Sequence, residues 1–241
     1  MRIPVDGWCL QGTDPVQAQS EPVVIVFQTY RRTEYALRTI AAARENLQYS
    51  GPLFWYVADD GSSQEHMDAV LNALSGEHVI GWHSEHSCYG GNCNRAYDVV
   101  KEVTPLHLWL EDDWVLTKPV DITPHVALLI ECDNIGMVRL GYLNTEVTGR
   151  SFGHHESIYW LLDRIPVEDR QLVFAGHPHL RHCRYWDAYG YYPVGVDPWE
   201  TERAYARQFR GGHGPTIAWP ADWPQWGHFQ HIGDIKSESQ S

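Results

Sequence analysis

A chain of 241 residues is long enough to bury the core of one large domain, or of a domain with a small appendage. A net charge of −13 excludes a nonspecific electrostatic grip on nucleic acid, which needs a basic surface, and leaves only a local patch for such a substrate. No apolar run reaches bilayer length and the opening Met-Arg-Ile-Pro-Val-Asp-Gly-Trp is no signal peptide, so the sequence reads as a cytoplasmic protein without a membrane partner.

Residues 1–21 have no periodicity and read as an irregular lead-in. Val23-Val-Ile-Val-Phe27 is a continuous β-branched run, the mark of a buried parallel strand. Residues 33–47 have helical spacing, with Thr33 as candidate N-cap, and Gly51-Pro52 ends the pattern. A strand over 53–57, a helix over 64–74 and a short strand over 79–82 follow. Next come a helix over 91–103, entered through Gly90-Gly91, and a strand over 107–110. A helix over 124–132 and a strand over 135–140 complete the alternation. Beyond about residue 142 turn residues, His and aromatics dominate, up to a helix over 198–209 with Pro198 in its first turn. Residues 236–241 read as a disordered tail.

Strands alternating with helices over short connections predict an α/β class: a Rossmann-like, mostly parallel central sheet flanked by helices on both faces. Such sheets bind ligands at the carboxyl ends of their strands. Three of those ends are polar here. The first carries Gln28-Thr29-Tyr30-Arg31-Arg32, the second Asp59-Asp60-Gly61-Ser62, the fourth Glu111-Asp112-Asp113. Three adjacent acids repel one another, so the triplet points to a cation that also holds a phosphate. The blander alternatives are a solvated turn for the triplet and a turn with a helix cap for Asp-Asp-Gly-Ser.

The order Thr-Tyr-Arg-Arg, Asp-Asp-Gly-Ser, Gly91-Asn92-Cys93-Asn94-Arg95-Ala96 and Leu-Glu-Asp-Asp-Trp resembles the nucleotide-sugar-dependent glycosyltransferases of the GT-A fold. Among these it is most similar to the large inverting family 2-like group, with Glu-Asp-Asp as a form of the Asp-X-Asp metal motif. The resemblance covers residues 22–118 well. It continues more weakly through Phe174-Ala-Gly-His-Pro-His-Leu180, Asp197-Pro-Trp-Glu-Thr-Glu202 and Phe229-Gln-His-Ile-Gly233. It implies one catalytic domain over 22–235, with a nucleotide-sugar half (22–120) and an acceptor half (121–235).

The resemblance implies further that Thr29, Tyr30, Arg31, Asp59, Asp60, Asn94 and Arg95 surround the nucleotide, with Arg31 standing where Asn is usual. Asp113 becomes the direct ligand of Mn²⁺ or Mg²⁺, Glu111 and Asp112 assist it or touch the ribose, and His231 completes the site, with His228 as competitor. An imidazole suits Mn²⁺ better than Mg²⁺. The general base falls to Glu200, Glu202 or Asp197, although Pro198 sits where the group commonly has its aspartate and first-turn acids are favoured by the helix dipole anyway. If no carboxylate reaches the acceptor, retention replaces inversion.

The expected donor is a nucleoside-diphosphate sugar, by analogy a UDP-sugar. The acceptor hydroxyl remains open among a glycan, a small molecule, a protein and a modified DNA base, in a bacterial or viral setting. Two rivals stand beside this reading. A related nucleotidyltransferase would show a Gly-rich basic loop after the first strand, and a non-catalytic carbohydrate-binding module would use the 11 Trp and 13 Tyr without needing the acidic triplet. The five cysteines form neither a disulfide framework nor a zinc pattern, and Cys88 and Cys93 read as free thiols. His177-Pro-His179 with His182 matches no common zinc spacing, and His154-His155 is no more informative.

Overall fold

Alternate residues of the first strand face opposite sides of a sheet, and here both sides are buried. Val23, Ile25 and Phe27 enter one core, Val24 and Val26 the other, which is why the run carries no polar alternation. The computed structural model describes residues 21–141, 151–162, 176–211, 214–224 and 227–233. The expected lead-in, apart from Glu21, and the expected tail lie outside these.

The first half runs β1 (Val23–Thr29), α1 (Thr33–Asn46), β2 (Leu47–Gln48), β3 (Leu53–Asp59), α2 (Gln64–Ala73), β4 (Val79–Ser84), α3 (Cys88–Val100) and β5 (Leu106–Glu111). Then follow β6 (Trp114–Leu116), β7 (Val120–Asp121), α4 (Thr123–Glu131), β8 (Ile135–Arg139), β9 (Ser151–His154) and β10 (Ser157–Leu161). The last elements are β11 (His179–His182), α5 (Cys183–Tyr189), α6 (Pro198–Gly211), β12 (Thr216–Pro220) and β13 (Phe229–His231). The central sheet has the order β4-β3-β1-β5-β11-β8-β12-β10-β9, in which only β11 and β10 run against the rest. Helices α1, α2 and α4 pack on one face and α3, α5 and α6 on the other. The expected α/β class with a mostly parallel, helix-flanked sheet is therefore what the chain adopts.

Several boundaries differ from the sequence expectation, for identifiable reasons. Helix α3 begins at Cys88, so Gly90 and Gly91 lie inside it. A Cβ on Gly90 would collide with the Pro193 carbonyl oxygen, and one on Gly91 would come within 2.9 Å of Ser87 Cβ. These glycines serve close packing rather than a turn. Thr33 is the first helical residue of α1 and not its cap, which is Arg32. Cys88, Cys93 and Cys183 are free, but Cys132 is in a disulfide, which five scattered cysteines had not suggested. Many of the aromatics are structural rather than sugar-facing. Trp109, Tyr185, Trp186, Tyr192 and Tyr205 surround the fully buried Arg181, whose guanidinium lies 5.1–5.9 Å from their ring centroids.

Two buried histidines make the fold acid-sensitive. His107 Nε2 donates to Thr104 O (2.7 Å) and His125 Nδ1 meets the Tyr159 hydroxyl (2.8 Å). Burial pushes both imidazoles down to about 4. Between about 6.5 and 4 the unfolded chain binds protons that the folded chain refuses, so this stability is complete above pH 6.5 and is lost as pH falls toward 4. Urea unfolding at pH 7 and pH 5 should show a loss of roughly 1–2 kcal/mol for each histidine. Equal stability at the two pH values would contradict this.

Candidate active site

Parallel pairing aligns the polar strand ends. In register, Thr29 lies beside Asp59 and Gln28 beside Glu111, so β1, β3 and β5 end at one sheet edge. The chain then reverses through Asp112 and Asp113 into β6, which pairs antiparallel with β13 and sets His231 opposite Trp114. The Ile232 amide donates to Asp113 O (2.9 Å), tying the end of the chain's described part to the acidic triplet.

Asp112 is buried at 1 % exposure and accepts from Thr29 Oγ1 (2.9 Å), from the Tyr30 amide (3.1 Å) and from Arg32 Nη2. Its own carbonyl oxygen accepts from Thr39 Oγ1 (2.8 Å), which anchors helix α1 to the site. Asp113 Oδ2 accepts from Arg32 Nη1 (2.6 Å) and lies 3.2 Å from His231 Nε2. Its Oδ1 is buried and has no hydrogen-bond partner among the described residues. Burial and the neighbouring Asp113 push Asp112 up to about 7 against the pull of Arg32. Asp113 stays below the usual carboxylate range. Burial opposes this, but His231 and Arg32 together outweigh it. Gly233 closes over the pair: a Cβ there would overlap Asp113 Oδ2 and come within 3.1 Å of Arg32 Nη1.

A second carboxylate pair lies beside the first. Glu111 Oε1 accepts from the Tyr89 hydroxyl (2.9 Å), and Glu202 Oε1, from α6, accepts from the Gly176 amide. A methyl on Gly176 would collide with both carboxylates and with Tyr89, so Glu111 and Glu202 flank the same point. Burial, Asp113 and Glu202 hold Glu111 well above the ordinary carboxylate range. Burial also raises Glu202, against the Gly176 amide and Arg139.

The other expected residues are distributed as follows. Tyr30 stacks on His86 (5.7 Å between ring centroids), and Arg31 lies over the Tyr30 ring (4.7 Å) in a left-handed backbone conformation. Asp60 pairs with His86 (3.2 Å) and accepts from the Ser87 amide (2.7 Å). Asp59 is wholly buried, and its carboxylate serves the turn: it accepts from the amides of Gly61 and Ser62 and from the hydroxyls of Ser62 and Ser84.

Asn94, expected at the nucleotide, instead exchanges two hydrogen bonds with the Tyr192 backbone (2.9 Å each), and Arg95 pairs with Glu85 at the surface (3.2 Å). Of the three candidate bases only Glu202 reaches the acidic cluster. Asp197 caps α6 through the Glu200 amide (3.1 Å), and Glu200 pairs with Arg203 on the surface (3.1 Å). His228 packs on Trp223, apart from the triplet's hydrogen bonds. Sequence reasoning missed Arg32, Tyr89, Gly176 and Gly233. Arg32 had a signal in the Arg-Arg pair, whereas the others depend on segments meeting from afar.

The residues fit a divalent cation. Asp113, with one buried and unpartnered oxygen, and His231 offer two donors of the hard and borderline kind that Mn²⁺ and Mg²⁺ take, while Asp112 beside them does not close a three-ligand cluster among the described residues.

Neither a protein-family model nor a curated protein matches the chain. Solved structures do. A mannosyltransferase from Pyrobaculum calidifontis, PcManGT, solved with GDP-Man and Mn²⁺, superposes with a TM-score of 0.50 at 13% identity over 90% of this chain and 61% of its own. Residues 1–349 of S. aureus TarS give 0.56 at 10% identity, over 86% of this chain and 59% of that one. Glucosyl-3-phosphoglycerate synthase from Mycobacterium tuberculosis, with Mg²⁺ and UDP, gives 0.58 at 13% identity over 96% and 80%. The chain thus spans about three fifths of the first two. It has the GT-A fold of nucleotide-sugar glycosyltransferases.

Arg32 is the guanidinium nearest two buried acids, so removing it leaves their charge uncompensated. Arg32→Gln should cost the metal-free protein about 3 kcal/mol, and Mn²⁺ should restore much of that loss. Urea unfolding with and without Mn²⁺ checks this, and an equal loss in both conditions would contradict it.

Proposed function

We propose that the protein is a metal-dependent glycosyltransferase that moves a sugar from a nucleoside-diphosphate donor, a UDP-sugar by preference, to a hydroxyl acceptor with inversion. The observation that carries this is the acidic triplet at the carboxyl edge of the sheet, where Asp113 keeps one buried oxygen unpartnered beside His231. A carbohydrate-binding module has no use for that arrangement. The neighbours of like fold, solved with GDP-Man and Mn²⁺ or with UDP and Mg²⁺, support the reading.

In this reading Asp113 and His231 hold the ion, with Asp112 beside them. A divalent ion held there would supply positive charge to offset the charge of the departing diphosphate. Arg32 pairs with both aspartates and sets their orientation, and its guanidinium is the group that would share the charge of the diphosphate. Tyr30 and Arg31 offer a stacked, cationic face at the first strand end for the nucleotide. Asp60 borders the same end from β3, while Asp59 acts through the turn it organises.

Glu202 is the general base. The acceptor oxygen attacks the anomeric carbon as the carbon–phosphate-oxygen bond breaks, and the hydroxyl proton passes to Glu202. Burial favours this role, because a carboxylate with a raised pKa takes a proton more readily. Glu111, held by Tyr89 and raised by burial and the neighbouring acids, flanks the same point as Glu202.

Thermal melting against a panel of nucleoside diphosphates and their sugars, with Mn²⁺, Mg²⁺ or chelator, tests the donor site. A stabilisation that needs metal and one nucleotide, and that Asp113→Ala loses, is expected. Stabilisation by sugars alone, insensitive to chelator, would favour the binding module. Glu202→Gln should lower turnover about 10²–10⁴-fold while keeping nucleotide binding. NMR of the product's anomeric centre should show inversion, and a retained centre would overturn the assigned role of Glu202.

A further inference from the structure

We propose that Glu131, His154 and His155 form a zinc site, separate from the acidic triplet, that clips the edge of the sheet to the end of helix α4. Glu131 is the last residue of α4, His154 ends β9, and His155 begins the turn into β10. His154 Nε2 lies 3.0 Å from Glu131 Oε2. His155 Nε2 lies 3.0 Å from the same oxygen and 3.2 Å from Oε1. One ligand atom from each residue falls within 4.8 Å of the other two. No other group of three such side chains does so among the described residues.

These spacings suit an ion. Zinc takes imidazole nitrogen and carboxylate oxygen near 2.0–2.2 Å, which sets neighbouring ligand atoms about 3.3 Å apart in a tetrahedron. Two imidazoles with one carboxylate also match the borderline softness of zinc better than that of Mg²⁺ or Ca²⁺. Three protein ligands leave a position for water. Glu131 and His154 are mostly buried, at 11% and 7% side-chain exposure, while His155 at 48% leaves the site open to solvent.

The hairpin turn is built in an unusual way for these residues. His155 has φ +49°, a left-handed conformation in which glycine or asparagine is normally placed. That backbone sends its imidazole back toward Glu131, alongside the His154 ring at 4.3 Å between centroids.

The test uses the full chain freed of metal with chelator, without nucleotide, titrated with zinc chloride by calorimetry and by thermal melting. One saturable site and a higher melting temperature are expected. His155→Gly suits the left-handed turn, so it should melt no lower than the wild type without zinc, yet lose both the binding and the zinc-dependent rise. Glu131→Gln should lose them as well, and Asp113→Ala, which affects only the triplet, should keep them. No saturable zinc binding in the wild type would overturn the proposal. So would binding that survives in His155→Gly or disappears in Asp113→Ala.

Discussion

The pairing of one guanidinium with two buried aspartates is the constraint on which the rest of the site depends. Asp112 and Asp113 leave the end of β5 at 1% and 4% exposure, where an isolated carboxylate is costly. Arg32 meets both. It does so because β1 and β5 are parallel neighbours, so the residues after each strand emerge at the same edge. The Thr29 hydroxyl, the Tyr30 amide and the Thr39 hydroxyl complete the anchorage of Asp112, which makes it the fixed post. Asp113, with one oxygen left over, is the adaptable one. A divalent ion at that oxygen would enter a site whose repulsion is only partly cancelled, which is a physical reason for affinity.

The strand ends were legible in the sequence because buried parallel strands are uninterrupted apolar runs, and the point where each run stops marks the ligand edge. The acids that gather at that edge could be narrowed to a triplet on the same ground. Choices between near neighbours were not legible. Arg31 and Arg32 differ by one position, yet Arg31 turns left-handed onto Tyr30 while Arg32 caps α1 and reaches the acids. Asp197, Glu200 and Glu202 share one helical turn and a half. Which of them faces inward depends on the approach of Gly176, and nothing periodic in the surrounding sequence fixes that approach.

Pairings between distant segments were the other gap. The β6–β13 pairing that delivers His231 spans three residues on each side, too short to show an alternation. The same limit hid Glu131 with His154 and His155, since the carboxylate ends a helix and the imidazoles sit at a hairpin. Asn94 and Arg95 show the same limit at a helix. The sequence order does not show which way their side chains point, and the helix turns them toward the Tyr192 backbone and toward Glu85.

The proposed reaction turns on Asp113 and a nucleoside diphosphate sharing one divalent ion. Electron–nuclear double resonance on Mn²⁺ added to the protein with UDP reads this directly. Phosphorus hyperfine coupling from protein-bound Mn²⁺ is expected, with both the coupling and the retained ion lost in Asp113→Ala. Mn²⁺ bound without phosphorus coupling under every nucleoside diphosphate, or a signal unchanged in Asp113→Ala, would contradict it.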